Sequence, residues 1–245
     1  MDKKIISQNF GAASNYYNDN ADIQKYCAKI LCDFSQKYLT QTRGFSLDLG
    51  SGTGFVAKNL ETQKIIELDL SVDMLKKSQN KYKISADISR LPFKNKENFD
   101  VVYSSFSLQW LDDYEELFKQ IHKILKKDGI FAFCIPTFES LQEIKNANEF
   151  SATDFYILDL PNENYIVDKL EKSGLKKLEV KTEIISKEYR NAADCLKKIK
   201  KIGANFSLRN KNFISKKQLQ KFNDFFLQKH QNITNWNIKY FVYIK

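Results

Sequence analysis

The densest cluster of chemically suggestive residues is LDLGSGTG at 47–54, where Gly50, Gly52 and Gly54 alternate directly behind a short apolar run. Glycine lets the backbone take positive φ and come close to a ligand. A turn of this kind, between a strand and a helix, occupies the carboxyl edge of an open α/β sheet where small molecules bind. A dinucleotide fingerprint needs a third small residue at position 55, but Phe55 stands there. No Lys-Ser/Thr pair of a P-loop follows either. Asp48 would repel a pyrophosphate but suits the ammonium group of an amino acid. Asp69, nineteen residues after Gly50, ends a second apolar run, where a carboxylate can accept hydrogen bonds from both ribose hydroxyls. A ligand with a ribose, no phosphate and an amino acid end is S-adenosylmethionine. The alternative is a tight turn with no ligand.

These residues need a sheet behind them. FSLDL (45–49), KIIELD (64–69), KYKISAD (81–87), NFDVVYSS (98–105) and IFAFCI (130–135) read as strands. Between them lie helices at 54–61, at 71–81 with Ser71 as its cap, and from about Leu117 to Leu125 with Gly129 as its stop. This alternation predicts a doubly wound α/β fold with a parallel sheet. Ahead of it, Ile23, Tyr26, Cys27, Ile30, Leu31, Phe34 and Tyr38 follow helical spacing, so the chain opens on an amphipathic helix with Asp19 or Asn20 as cap. Behind it, helices are expected at 139–149 and 163–173, the latter stopped by Gly174, and a strand at 176–189. Two basic helices, 191–202 and 215–228, then precede a closing strand, WNIKYFVYI (236–244). The whole reads as a single domain over 1–245. Cap helices occupy 1–40, the ligand-binding core 45–135, and helical elements on the substrate side 136–175 and 191–230.

Composition sets further bounds. The four cysteines, at 27, 32, 134 and 195, form no C-x-x-C pair and are expected as buried thiols, with no metal required. No run of about 18 apolar residues and no secretory leader is visible, which predicts a cytoplasmic protein with no membrane partner. The net charge of +9 suggests an anionic partner, yet only four of the 39 basic residues are Arg and twenty residues are Asn, a bias that a Lys-, Asn- and Ile-rich genome also produces. Its distribution says more: 191–230 holds ten basic residues against Asp194 and Asp224 alone.

LDLGSGTG, LDLSVDML, ADISRLPF and FDVVYSSFSLQW, in this order, resemble the class I S-adenosylmethionine-dependent methyltransferases over residues 45–135. The resemblance implies a Rossmann-like, seven-stranded sheet with an antiparallel last strand and a helical insertion before it. It implies that Asp48, Gly50, Gly52 and Gly54 line the methionine moiety, Asp69 holds the ribose, Asp87 with Ile88 meets the adenine, and Met74 packs on the adenine face unless it is a plain core residue. Ser104 and Ser105 would end the fourth strand beside the methyl group, or serve only as a polar strand end. S-adenosylhomocysteine would be the product.

NFGAASNYYNDNADIQ (9–24), SLQEIKNA (140–147), LKKIKKIGAN (196–205) and SKKQLQKF (215–222) are similar to the malonyl-acyl-carrier-protein O-methyltransferases of biotin synthesis. That family methylates the free carboxylate of malonyl on acyl carrier protein, and residues 150–190 depart most from it. By the same resemblance Tyr17 closes over the cofactor, the rival being a core aromatic. Arg190 or Arg209 would face the malonyl carboxylate, the rival being surface solvation. Lys197, Lys200 and Lys201, on one face of a short helix, would dock the acidic carrier protein, the rival being a solvated lysine face. A carboxylate is already ionised at neutral pH, so its attack on a sulfonium methyl requires no general base. His122 and His230, the only histidines, are accordingly not expected at the site. A nucleic-acid methyltransferase would carry N/D-P-P-Y/F where this chain reads YSSF, so no nucleic-acid partner is expected. A quinone or small-molecule methyltransferase, and a non-methylating relative of the complex I assembly factors, remain alternatives; IGAN in place of a Met-Gly-Glu version favours the biotin enzyme over the second.

Overall fold

A computed structural model describes residues 2–39, 44–60, 64–94, 97–153, 155, 158–203 and 214–245. Three helices come first: α1 (Lys3–Ala13), α2 (Tyr17–Asn20) and α3 (Asp22–Gln36). The alternating core follows as β1 (Phe45–Leu49), α4 (Phe55–Asn59), β2 (Lys64–Asp69), α5 (Val72–Lys77), β3 (Lys83–Ser85), β4 (Phe99–Ser105), α6 (Glu115–Ile124) and β5 (Leu125–Pro136). The last part comprises α7 (Gln142–Ser151), α8 (Glu163–Lys172), β6 (Lys176–Glu188), α9 (Ala192–Lys201), α10 (Lys216–His230) and β7 (Ile233–Ile244).

The strands form one seven-stranded sheet in the order β3-β2-β1-β4-β5-β7-β6. The first five are parallel, while β7 runs antiparallel to both β5 and β6. The two halves of the parallel sheet wind outward from β1 and β4, and the crevice beyond their carboxyl ends is the place such sheets offer a ligand. Side chains alternate between two buried faces, as strands covered on both sides must. On β5, Ile130, Ala132 and Cys134 join one apolar cluster and Phe131, Phe133 and Ile135 the other. Phe133 stacks on Phe241 of β7, with centroids 4.6 Å apart. Helices α3, α9 and α10 supply the first cluster, and α6 and α8 the second. All four cysteines are free and buried.

The structure corrects several local expectations. Two helices precede the one read as the opening element, and Asp19 and Asn20 lie inside α2 rather than capping α3, whose N-cap, Ala21, makes no side-chain bond. Gly129 does not stop α6. That helix ends at Ile124, Leu125 is already extended, and the left-handed position falls on Asp128 (φ 60°) inside the long strand β5. Helix α4 is shorter than expected, α5 ends at Lys77, and β3 spans only three residues. Gly174 (φ 88°) does follow α8, and Ser71 does cap α5 by accepting the Met74 N–H.

Candidate active site

Gly50 and Gly52, at the end of β1, take positive φ (69° and 56°), which side-chain-bearing residues rarely adopt. The three glycines are not equivalent. A Cβ on Gly52 would lie 3.3 Å from Met74 Cε. On Gly50 it would collide with Ser107, and on Gly54 with Glu67 and Ser78, so close packing of protein on protein demands those two. Above the turn lies an open cleft of about 890 Å³. Of the residues singled out from the sequence, Tyr17, Asp48, Gly50, Gly52, Asp69, Met74, Asp87, Ile88 and Ser105 line it.

Gly54 and Ser104 do not. Ser104 is fully buried; its hydroxyl donates to the Leu49 carbonyl (3.0 Å) and lies 2.5 Å from Ser107 Oγ, tying the end of β4 to the end of β1. Immediately beyond, Phe106 adopts φ 54°, a strained conformation for a bulky residue, and with it the chain leaves the strand into the cleft wall.

Asp48 is 1% exposed, and neither of its carboxylate oxygens has a hydrogen-bond partner among the described residues. Burial, then the neighbouring charges of Glu67 and Asp69, push its carboxyl well above the usual carboxylate range. A buried carboxyl left unsatisfied is costly, and it marks a place where a cation or donor belongs. Asp69 is better served: one oxygen accepts from the Gly52 N–H (2.8 Å) and the other from the Ser71 N–H (2.7 Å). Each oxygen keeps a second lone pair, enough for two hydroxyl donors. Burial raises the Asp69 carboxyl as well, against those two backbone bonds. Met74 is 2% exposed yet faces the cleft beside Gly52, so it is both a core residue and part of the wall.

Sequence reasoning expected cap helices over 1–40 with Tyr17 closing over the cofactor, but named none of the α1 residues that roof the cleft. Helix α1 lies across the cleft, with Lys3, Ile6 and Phe10 in its lining. Lys3 Nζ donates to Asp87 (2.6 Å), Ser7 Oγ to the Leu70 carbonyl (3.3 Å), and Thr53 Oγ1 to Asn18 of α2 (2.6 Å). Phe10 meets Trp110 edge-on at 5.3 Å, and Tyr17 stacks on Phe55 at 5.8 Å. Burial, with the charge of Asp69 adding, pushes the Tyr17 phenol above its ordinary value, so it stays neutral. Gln24 and Ser107, likewise not foreseen, also line the cleft. The one available signal was that Phe10 and Gln24 fall inside the 9–24 stretch and Trp110 inside FDVVYSSFSLQW.

Neither histidine lines the cleft. His122 packs near Gly174, and His230 against Phe225 and Phe226. Arg190 points to solvent, its side chain 85% exposed, and pairs with Asp194 at 3.4 Å. Arg209 lies outside the described residues. Lys197, Lys200 and Lys201 are exposed on α9. Among the described residues no group of acidic, cysteine or histidine side chains is arranged to hold a metal, and no helix is long and apolar enough to cross a membrane.

A family model described as "Methyltransferase domain" matches residues 47–133. A malonyl-[acyl-carrier protein] O-methyltransferase of Gallionella capsiferriformans is 26% identical over 83% of this chain and 76% of its own length. Another, from Ilyobacter polytropus, is 26% identical over 96% of this chain and 91% of its own. The mouse mitochondrial arginine-hydroxylase NDUFAF5 is 29% identical over 64% of this chain and 50% of its own. Among solved structures, a SAM-dependent methyltransferase of Archaeoglobus fulgidus superposes with a TM-score of 0.56 at 17% identity, over 90% of this chain and 94% of its own.

Proposed function

We propose that this chain is a class I S-adenosylmethionine-dependent methyltransferase, a reading supported by the methyltransferase-domain match over 47–133 and by its similar relatives, and that it methylates the free carboxylate of a malonyl group carried as a thioester on acyl carrier protein. The observation that carries the cofactor half is Asp48: a buried carboxyl with two unpartnered oxygens at a glycine turn fits an ammonium group and rejects a phosphate. Asp69 would hold the ribose, Asp87 and Ile88 would flank the adenine, Met74 would meet its face, and Gly52 would leave room for the methionine chain. Tyr17 and Ser105 would border the reacting end.

S-adenosylmethionine supplies a methyl group on a positively charged sulfur, and its transfer to a carboxylate oxygen neutralises both charges without moving a proton. The residues of this chain therefore have to align and enclose rather than to exchange protons. A cleft wall of Phe10, Phe55, Phe106 and Trp110, with no histidine in it, suits that task. The malonyl acceptor is supported by the names of relatives that run along most of the chain.

Incubation with S-adenosylmethionine and malonyl-acyl carrier protein, followed by mass spectrometry of the carrier, tests the reading. A methyl ester is expected, and an unmodified carrier in the presence of folded, cofactor-binding protein overturns it. Replacing His122 and His230 together with Ala should leave turnover within about tenfold of the parent, whereas losing a general base costs about 10²–10⁴. A thousandfold loss in a folded double variant would refute the base-free chemistry.

A further inference from the structure

The two edges of the sheet differ in length. Strand β3, at one edge, has three residues, whereas β6, at the other, runs for thirteen. A long edge presents a row of unpaired backbone groups on which another strand can form. The direction of those groups in β6 follows from its neighbours. The Tyr189 N–H, one step beyond the strand, donates to the Asn232 carbonyl (2.9 Å), so in this register the odd-numbered residues bond to β7. Ile184 stands opposite Asn237, whose carbonyl turns away from β6 to accept the Thr137 N–H (2.9 Å). Val180, Thr182, Ile184 and Ser186 therefore direct their N–H and carbonyl groups outward, where no strand covers them among the described residues.

Side chains of the same stretch divide by face. Odd-numbered residues lean on α3: Glu179 pairs with Lys37, Glu183 accepts from Tyr26 (2.7 Å), and Lys187 pairs with Asp22 (2.9 Å). The edge is thereby held in place before any partner arrives. On the opposite face Val180 is half-buried, Thr182 is exposed and Ile184 is 65% exposed. The second oxygen of Glu183 has no hydrogen-bond partner among the described residues, and Lys181 of the same strand lies 3.6 Å from it.

We propose that this edge docks a second copy of the chain, β6 pairing antiparallel with β6 about a twofold axis at Thr182, so that the two sheets join edge to edge. Such an axis makes the contact isologous. It sets Thr182 opposite Thr182, and Val180 opposite the second copy's Ile184, with the outward backbone groups meeting as hydrogen-bonded pairs. Thr–Thr and β-branched pairs stabilise antiparallel strands. On the α3 face Lys181 meets the second copy's Glu183, and Glu183 its Lys181, at the non-hydrogen-bonded positions, where Cα atoms approach to about 4.5 Å. Neighbouring registers fail on charge. An axis at Lys181 would set that lysine against itself and Glu179 against Glu183, while an axis at Glu183 would set Glu183 against itself; like charges directly opposite are destabilising. The irregularity between Lys177 and Glu179 bends the strand and ends the pairing there.

Sedimentation equilibrium of the full chain tests the proposal, with thermal melts to check folding. The parent should form dimers. In a homodimer Lys181→Glu sets Glu against Glu and Glu183→Lys sets Lys against Lys, so each variant alone should associate at least about tenfold more weakly. Mixed one to one, the two variants place unlike charges at both positions, and dimers should return. Only the register at Thr182 gives that recovery. Thr182→Pro removes an outward N–H that β7 does not use and should yield a folded monomer. Hydrogen exchange at Thr182 and Ile184 should slow with concentration in the parent and not in the Pro variant. Should Thr182→Pro misfold, the charge variants decide. A parent that stays monomeric up to about 0.1 mM overturns the proposal and leaves the edge to an extended segment of another protein. A dimer that persists in both single charge variants and gains nothing on mixing overturns it too, since the interface then lies elsewhere.

Discussion

Asp48 and Asp69 sit on neighbouring strands, but their surroundings divide the work between them. Asp69 is already bonded to the Gly52 and Ser71 N–H groups, so it shapes the glycine turn as well as facing the cleft. Asp69→Ala is expected to weaken S-adenosylmethionine binding by about 1.5–3 kcal/mol, the range for hydrogen bonds to a charged acceptor. Calorimetry on a folded variant checks this, and unchanged affinity would remove Asp69 from the site. Asp48 carries a pH prediction. Its carboxyl is raised by burial and by the charges of Glu67 and Asp69, and a cationic amino group binds its ionised form. Cofactor affinity should therefore rise with pH from acid toward neutral, and Asp48→Asn should bind more weakly and lose that slope. Stability runs the other way. A carboxyl whose folded pKa lies above its unfolded value near 3.8 holds more protons when folded. Its favourable contribution is complete below that value and is lost as pH rises through the folded pKa. Denaturant titrations of parent and Asp48→Asn across that range should show the variant gaining relative stability as pH increases.

At the scale of elements, the roof over the cleft is the main addition the structure makes. Helix α1 rests on the rim through Lys3–Asp87, Ser7–Leu70 and the Phe10–Trp110 contact. A ligand held under a roof leaves slowly, and related binding sites differ mostly in dissociation rate. Phe10→Ala is expected to speed S-adenosylmethionine release by about tenfold with a smaller effect on association. Stopped-flow fluorescence can follow this, since Trp110 is one of only two tryptophans; an unaltered rate would show that α1 does not gate the cleft. The floor was legible because it is local: LDLGSGTG is a contiguous strand-turn run, and Asp69 and Asp87 end or follow recognisable apolar strands. The roof was not, because nothing in the pattern of α1 says which surface it covers. Ser104 misled for a related reason. Alternation along β4 places Ser104 and Ser105 on opposite faces, and Ser105 is the one that reaches the cleft while Ser104 bonds inward to Leu49. Gly129 misled because glycine marks several kinds of irregularity, and here the chain passes from helix to strand without the stop it usually provides.

For the whole molecule, charge and topology matter most. The excess of lysine between 191 and 230 is carried in part by α9, whose Lys197, Lys200 and Lys201 are exposed. Exposed ion pairs contribute only about 0–1 kcal/mol each, but a clustered field raises association rates. Changing those three lysines to Glu should lower kcat/KM for malonyl-acyl carrier protein by about tenfold or more and flatten its salt dependence. Activity on malonyl-coenzyme A should fall much less. Equal losses on both would indicate damage at the site, and no loss would leave these lysines as solvated surface. The sheet order has a different consequence, one that belongs to synthesis. Strand β6 touches the rest of the sheet only through β7, which lies between it and β5. At about 5–20 residues per second, the ribosome needs roughly 2–9 s to make residues 189–232 after β6 has been finished. During that interval β6 has no sheet partner, and β5 presents the open edge that β7 will later fill. The glycine turn, Asp48 and Asp69 belong to the part of the sheet that can form first. The twelve-residue strand β7 is therefore translated after the other six strands of the sheet and is the one that closes the architecture, so a chain stalled or cut before Ile233 would expose two pairing edges to chaperones, proteases and other nascent chains.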